Sequence, residues 1–82
     1  MFCTYVLYSE KYDRIYVGQT EDLTLRIERH NAGRVKSTKP YIPWKLIYSE
    51  NFITRSDSIK RESELKSHQG RDFIRNLILS KG

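Results

Sequence analysis

The sequence has little of several residue types, and each scarcity excludes a class of protein. Among its 82 residues there is one cysteine, Cys3, so an internal disulfide is excluded. That cysteine and two distant histidines, His30 and His68, give no zinc-binding spacing. The longest apolar-leaning run, Met1 to Tyr8, is too short to cross a bilayer and has neither the charged start nor the cleavage site of a signal peptide. We therefore expect a cytoplasmic protein that makes no membrane contact and holds no structural metal.

The length and the charge of the chain set further bounds. At 82 residues there is room for a single domain, residues 1–82, because domains cluster near 100 to 150 residues. The hydrophobic share of 38% and the aromatic share of 12% are above those of a disordered chain, so we expect the chain to fold. Fifteen Lys and Arg against ten Asp and Glu give a net charge of +5, which favours a polyanionic partner.

The spacing of apolar and turn residues predicts six elements in the order β-β-α-β-α-α. They are strands at Thr4–Tyr8 and Ile15–Gly18, a helix at Asp22–Asn31, a strand at Trp44–Phe52, a helix at Asp57–His68, and a last helix with the apolar stripe Phe73, Ile74, Leu77 and Ile78. Thr20 and Ser56 are expected to cap the first two helices, and Gly70 to separate the last two. Because a hairpin alone is marginal, we expect one three-stranded antiparallel sheet flanked by helices, an α/β (α+β) fold.

Most of the excess positive charge lies in one loop between Ala32 and Tyr48. This loop has a charge of +4 and no acidic residue, because it contains Arg34, Lys36, Lys39 and Lys45. Such a loop suits contact with a nucleic-acid backbone, and its affinity should then fall steeply as salt rises. The alternative is a solvated loop. Trp44, near its end, is expected to begin a core strand rather than to stack on bases.

Glu62 lies where packing alone would not place a carboxylate. In the second helix Ile59 and Leu65 are six residues apart, so their directions differ by about 120°, and Glu62 points midway between them. A carboxylate in an apolar stripe needs a cation or hydrogen-bond donors. Two interpretations follow: Glu62 pairs with a neighbouring Arg or Lys, or it binds a metal ion.

The first helix places two basic side chains beside its apolar face. Leu23 and Ile27 define the inward direction, and Arg26 and His30, four residues apart, border it on one flank. One interpretation is an arginine that snorkels and a partly exposed histidine. The other is an arginine that binds phosphate next to a proton carrier.

The hairpin places two tyrosines and a glycine on one face. If Tyr5 pairs opposite Tyr16, both hydroxyls emerge on the same side of the sheet, and Gly18 leaves room for the backbone of a ligand. Cross-strand tyrosines are also common core pairs, so this feature alone carries little weight.

Together these residues resemble the GIY-YIG nuclease superfamily, particularly its small stand-alone members similar to the N-terminal nuclease domain of an excinuclease. Cys3-Thr4-Tyr5 resembles the first signature, and Tyr16-Val17-Gly18, eleven positions on from Tyr5, resembles the second. Arg26 and His30 match the Arg-x-x-x-His helix. Arg61-Glu62-Ser63-Glu64-Leu65-Lys66 matches the Arg-Glu-x-x-Leu-Lys stretch. Cys3 and Thr4 depart from the Gly and Ile of the first signature, and Gln19 stands where repair-type relatives often carry Lys.

The resemblance implies a sheet of three antiparallel strands and an endonuclease that uses one divalent cation, Mg²⁺ or Mn²⁺. Glu62 would bind the cation, and Arg26 would stabilise the phosphate in the transition state. Tyr5 and Tyr16 would position or deprotonate the attacking water, with assistance from His30. Since the reference pKa of tyrosine is about 10, His30 is the rival base.

The expected partner is nucleic acid, DNA in the first place, and the likeness to an excinuclease suggests DNA repair. The alternative is a nucleic-acid-binding module on the same scaffold with weak or no cleavage, an interpretation that Gln19 encourages. Nothing in these 82 residues resembles a separate sequence-reading module, so we expect structure-selective cutting or a protein partner for targeting. A monomer or a weak dimer is expected.

Overall fold

Three strands, three helices and one short 3-10 helix follow one another along the chain in a computed structural model, which describes residues 1–81. They are β1 (Phe2–Ser9), β2 (Arg14–Thr20), α1 (Leu23–Asn31), the 3-10 helix (Lys39–Tyr41), β3 (Lys45–Phe52), α2 (Arg55–Lys66) and α3 (His68–Lys81). The predicted order β-β-α-β-α-α is confirmed. Within the described residues, no helix is long and apolar enough to cross a membrane.

The three strands form one antiparallel sheet in the order β2-β1-β3. The central strand, β1, is almost wholly buried, whereas β2 lies at a free edge. Tyr5 pairs with Gly18 and Leu7 pairs with Tyr16, so the two tyrosines are offset by two residues and do not lie directly opposite each other. The shared face of the two tyrosines is nevertheless as expected, because a shift of two residues preserves the side of the sheet. The register depends on the turn, where Asp13 adopts a left-handed φ of 51° without the Asn-Gly pattern that marks such turns.

Each face of the sheet carries its own core. On one face Val6, Val17 and Ile47 pack against Leu65 of α2 and Ile74 of α3. On the other face the buried residues Cys3, Tyr5, Leu7 and Trp44 meet α1 and the loop that follows it. We call these the α2 face and the α1 face. Trp44 is buried, as expected, and donates its indole N–H to the Thr38 carbonyl at 2.9 Å.

The helix starts differ from those expected. The Asp22 carboxylate, not Thr20, caps α1 by accepting the Leu25 N–H at 3.1 Å. Thr54, not Ser56, caps α2 by accepting the Asp57 N–H at 3.2 Å. In both segments several residues able to cap follow one another, so composition alone does not select among them.

The boundary between α2 and α3 lies at Ser67, so the expected separation at Gly70 is wrong. Ser67 is extended, with ψ of 170°, and its hydroxyl accepts the Gly70 N–H at 3.2 Å. Gly70 belongs to the first turn of α3, where a Cβ atom would meet the Glu64 carbonyl and would lie 2.5 Å from Leu65 Cα. The glycine therefore allows the start of α3 to pack closely on the end of α2, and it does not break a helix.

Candidate active site

The site begins with Tyr5, whose ring lies across Gly18 on the neighbouring strand. Tyr5 is fully buried. A Cβ atom on Gly18 would lie 2.7 Å from Tyr5 Oη and 2.8 Å from Cζ, so the ring occupies the space of the missing side chain. The room expected for a ligand beside Gly18 is therefore filled by the phenol. Gly18 positions Tyr5, and approach of a substrate backbone to Gly18 stays an untested expectation.

A chain of hydrogen bonds starts at this phenol. Tyr5 Oη lies 2.9 Å from His30 Nε2, and His30 Nδ1 lies 2.8 Å from Thr38 Oγ1. The Thr38 hydroxyl donates to the Val35 carbonyl at 3.3 Å, so it accepts the proton on His30 Nδ1. His30 Nε2 is then the acceptor, and Tyr5 donates to it. The neutral Nδ1–H tautomer of His30 is therefore fixed by its partners.

Arg26 and Tyr16 complete the cluster around the Tyr5 hydroxyl. Arg26 Nε donates to Tyr5 Oη at 3.3 Å. The Tyr16 ring stacks on Tyr5, with centroids 6.1 Å apart and an interplanar angle of 17°, and meets His30 edge-on at 4.8 Å. Four predicted site residues from β1, β2 and α1 thus lie together, and we call them the tyrosine cluster: Tyr5, Tyr16, Arg26 and His30. His30 is fully buried, so the interpretation of a partly exposed histidine is wrong.

Burial and the Arg26 charge set the protonation states of the cluster. Burial raises the pKa of Tyr5 to about 12, and this outweighs the opposing effect of the hydrogen bond from Arg26. Burial also lowers the pKa of His30, and the positive charge of Arg26 lowers it further. Near neutral pH Tyr5 is accordingly a protonated donor and His30 a neutral acceptor. Between the two, His30 is the better proton acceptor.

Glu62 lies on α2 and has a different neighbour. Its Oε2 accepts a hydrogen bond from Lys66 Nζ at 2.7 Å, and its side chain is 22% exposed. Of the two interpretations offered by the sequence, pairing with a neighbouring cation describes this contact. The expected apolar stripe is rotated, since Ile59 is 46% exposed and Ser58 is buried in its place. This rotation leaves Glu62 half-buried.

The position of α2 relates Glu62 to the tyrosine cluster. The Thr4 hydroxyl donates to the Ser58 carbonyl at 2.7 Å, which fixes one end of α2 on the α2 face. At its other end Lys66 lines the same groove as Tyr16, at the free edge of β2. Among the contacts of residues 1–81, none joins Glu62 directly to Tyr5, Tyr16 or Arg26. Lys66, the partner of Glu62, thus shares a groove with Tyr16, whereas Glu62 itself does not line that groove.

No cluster of three or more His, Cys, Asp or Glu side chains able to hold a metal ion occurs within residues 1–81. A magnesium site built on one carboxylate and several waters would not form such a cluster. Glu62 has the hard oxygen donor that such a cation prefers, and its Oε1 takes no part in the contact with Lys66. The donor chemistry therefore fits a divalent cation at Glu62.

Thr38 is the site residue that the sequence interpretation missed. It is 3% exposed and is the only hydrogen-bond partner of His30 Nδ1 among the described residues. It lies in the irregular loop after α1, eight positions from His30, where no helical or strand period relates the two. The Asn31 side chain holds this loop by bonding both the backbone N–H and the carbonyl of Trp44, at 2.7 and 3.0 Å.

The cationic side chains of the loop between Ala32 and Tyr48, which we call the basic loop, are exposed, as a backbone-binding surface requires. Arg34, Lys36 and Lys39 are exposed and, within residues 1–81, form no salt bridge. Lys45 is 3.5 Å from Glu10 in an exposed pair. Arg34 also lines a surface depression with Arg29 and with Arg26, the residue that donates to Tyr5. Gln19 faces α2, where its amide meets the Ser58 hydroxyl at 3.3 Å.

A family model described as the GIY-YIG catalytic domain matches residues 1–76. The chain belongs to the GIY-YIG family. This confirms the resemblance stated from the signatures and places the chain in a nuclease family. The UPF0213 proteins of Staphylococcus aureus strains N315 and Mu50 are each 37% identical over 62 residues, which is 74% of this chain and 76% of theirs.

A solved structure has a similar fold. The solution NMR structure of a UPF0213 protein from Bacillus halodurans superimposes with a TM-score of 0.55 at 26% identity, covering 94% of this chain and 85% of that one. The predicted three-stranded antiparallel sheet with flanking helices is thereby confirmed.

Proposed function

We propose that the protein is an endonuclease that hydrolyses phosphodiester bonds of nucleic acid, DNA in the first place, with the help of one divalent cation. The observation that carries the proposal is the buried chain from Tyr5 through His30 to Thr38, with Arg26 on the phenol. A core filled for stability alone does not need four polar groups in one oriented line, since burying them is costly unless each is paired. Their pairing here supports a role in moving a proton.

The proposed proton path starts at Tyr16, which is only half-buried and lines the groove at the edge of β2. The attacking water lies at the Tyr16 hydroxyl and gives its proton to Tyr16 Oη, while the proton of Tyr16 passes to Tyr5 Oη. Tyr5 passes its own proton to His30 Nε2, so the histidine is the net acceptor. The new bond forms between the water oxygen and phosphorus, the bond to the leaving oxygen breaks, and that oxygen takes up a proton from solvent.

Arg26 supplies positive charge where negative charge develops. Its Nε donates to the Tyr5 hydroxyl, and Arg26 is half-buried and lines a surface depression together with Arg29 and Arg34. A guanidinium in a partly dry site stabilises the non-bridging phosphate oxygens in the transition state. The exposed cations of the basic loop, Arg34, Lys36, Lys39 and Lys45, then bind the flanking phosphates without regard to sequence.

Glu62 would hold the divalent cation through the oxygen that Lys66 leaves free. When bound, the cation supplies charge relief to the phosphate and to the leaving group. The divalent cation would have to share the Glu62 carboxylate with the Lys66 ammonium, which competes with the cation for it. A nucleic-acid-binding module with weak cleavage is the second candidate, and this competition together with Gln19 is what favours it.

The proposal is tested by incubating the purified protein with duplex DNA, branched DNA, single-stranded DNA and RNA. Mg²⁺, Mn²⁺ or a chelator is added in parallel reactions. We expect internal cleavage of at least one substrate with either cation and none with the chelator. Binding of these substrates without cleavage under any of these conditions would favour the second candidate. A cleavage rate that the chelator leaves unchanged would contradict the cation-dependent mechanism.

Thr38 should act as a positioning residue for His30. In the Thr38→Val variant the Nδ1–H loses its acceptor, so the tautomer and the ring orientation are no longer fixed. We expect cleavage to fall about 10-fold, as for other groups that orient a reactive histidine. Thr38→Ser keeps the hydroxyl and should retain most of the activity.

The pH profile separates this role from a purely structural one. The acidic limb is the pH range in which the cleavage rate falls on acidification. Its midpoint should lie below pH 6.5, because cleavage requires neutral His30 and the folded-state pKa of His30 is lowered. Since the Thr38 oxygen stabilises the imidazolium more than the neutral ring, its loss lowers this pKa further, and the limb should move to lower pH. Equal profiles in the wild type and Thr38→Val would contradict the assigned role.

A further inference from the structure

A groove crosses the free edge of β2 and joins the two faces of the sheet. It has a volume of about 720 Å³ and is open to solvent. Tyr16 and Tyr41 line it from the α1 face, Arg14 lies on β2 itself, and α2 and α3 contribute the cations of the opposite wall. We call it the edge groove and define it by Arg14, Tyr16, Tyr41, Lys66, Arg71 and Arg75. Of these residues, only Tyr16 is part of the proposed proton path.

The edge groove is strongly basic. Its lining residues include four cations, Arg14, Lys66, Arg71 and Arg75, and a single acid, Asp13. That acid is already bound on two sides, because Arg75 donates to it at 2.6 Å and the Tyr8 hydroxyl donates at 2.8 Å. Arg71 is exposed, and its guanidinium pairs with no acidic side chain within residues 1–81. Positive potential therefore dominates the groove and would attract a polyanion.

Aromatic rings alternate with these cations. The Arg14 guanidinium lies over the Tyr41 ring, 4.7 Å from its centroid. Tyr12, which is 44% exposed, adjoins the groove with its ring edge-on to Tyr41 at 5.7 Å. The half-buried ring of Tyr16 lies further along. A guanidinium stacked on a ring and a neighbouring exposed ring both offer planar surfaces to a base.

We infer that the edge groove binds a single-stranded segment of nucleic acid next to the bond to be cut, with phosphates at Arg14 and Arg71 and unpaired bases against the tyrosines. The inference deepens the proposed function and rests on it for the identity of the polymer. A single strand fits better than a duplex, since a base can stack on a side chain only when it has left its helix. The four cations of the basic loop, Arg34, Lys36, Lys39 and Lys45, do not line this groove and remain available for the adjoining duplex. A substrate with a junction between duplex and single strand would then occupy both surfaces.

The test measures binding by fluorescence anisotropy in the presence of a chelator, so that cleavage does not interfere. The probes are labelled single-stranded DNA and RNA of the same sequence and the matching DNA duplex. For the Arg14→Gln/Arg71→Gln variant we expect the Kd for the single strands to rise at least 10-fold. The slope of log Kd against log salt should fall by about 1.4, since each phosphate contact on a single strand contributes about 0.7. Lys60→Gln controls for the loss of one positive charge outside the groove, because Lys60 is exposed on α2 and does not line the groove. The Kd of this variant should change less than 2-fold.

A second variant tests the stacking surface without altering charge. Tyr12→Ala removes an exposed ring, and we expect single-strand affinity to fall at least about 5-fold with little change for the duplex. Thermal unfolding of each variant verifies that it is folded. If neither variant weakens single-strand binding, or if both weaken duplex binding equally, the inference is overturned.

The outcome also separates this inference from the proposed function. A wild-type protein that cleaves no substrate with Mg²⁺ or Mn²⁺, yet loses single-strand binding in both variants, would support the edge groove and overturn the endonuclease. Wild-type cleavage together with a single-strand affinity that neither variant changes would support the endonuclease and overturn the edge groove.

Discussion

Cleavage by the Glu62→Gln variant should be at least about 10³-fold slower than by the wild type, the upper range for removing one stabilising group from an active site. The amide keeps the size of the carboxylate and loses the charge that a divalent cation requires. The fold should survive, because the pair between Glu62 and Lys66 is an i,i+4 pair at the surface of α2, where such pairs contribute only a few tenths of a kcal/mol. Single-turnover rates across a range of Mg²⁺ and Mn²⁺ concentrations measure the effect.

Glu64→Gln is the matched control for that change. Glu64 lies two residues further along α2, is exposed, and pairs with Arg61 at 3.6 Å. Its loss removes the same charge from the same helix, so wild-type cleavage is expected. Equal activity of the wild type and Glu62→Gln would refute the metal role of Glu62. Equal losses in the two variants would show that only the overall charge of α2 matters.

The second large effect is expected for Arg26→Gln. Arginines that stabilise a phosphoryl transition state contribute about 10³-fold or more to the rate, and we expect a loss of about that size. Arg26 also lowers the pKa of His30 by its charge. Without that charge, the folded-state pKa of His30 rises. On acidification His30 is then protonated at a higher pH than in the wild type. The acidic limb of the residual activity should therefore move to higher pH, opposite to the shift expected for Thr38→Val.

Arg29→Gln is the comparison for this substitution. Arg29 lies three residues along α1 and lines the same surface depression, but it makes no hydrogen bond to the phenols within residues 1–81. We expect it to weaken binding slightly and to leave the pH profile where it was. If the acidic limb of the Arg26→Gln variant lies at the same pH as that of the wild type, the Arg26 charge does not affect the pKa of His30, and the electrostatic coupling is contradicted.

The order of elements followed from the sequence because each local pattern agreed with the final packing. Alternating apolar residues, capping residues and turn residues all pointed to β-β-α-β-α-α. The errors arose where several local solutions were equally good. Thr54 and Ser56 are both competent caps, and a turn without an Asn-Gly signal permits more than one hairpin register. The role of Gly70 depends on how closely α3 approaches α2, which no local pattern encodes.

The site was predictable to a similar extent. The i,i+4 spacing of Arg26 and His30 and the alternation along the strands place three kinds of side chain on one face of the sheet. Burial of His30 and the part played by Thr38 were not predictable, because both depend on how the irregular loop after α1 folds back over that helix. For Glu62, helical geometry predicted a half-buried carboxylate. Spacing does not decide whether its partner is Lys66 or a divalent cation, because the two compete for the same oxygens.

The contact of the Tyr5 ring with Gly18 has a consequence for any attempt to rebuild this chemistry elsewhere. Transplanting the tyrosine and the imidazole to another scaffold would fail unless the glycine across the strand were transplanted too. Alanine at that position would collide with the hydroxyl and turn it away from its acceptor. The smallest residue of the sheet thus determines the direction in which one of the largest points.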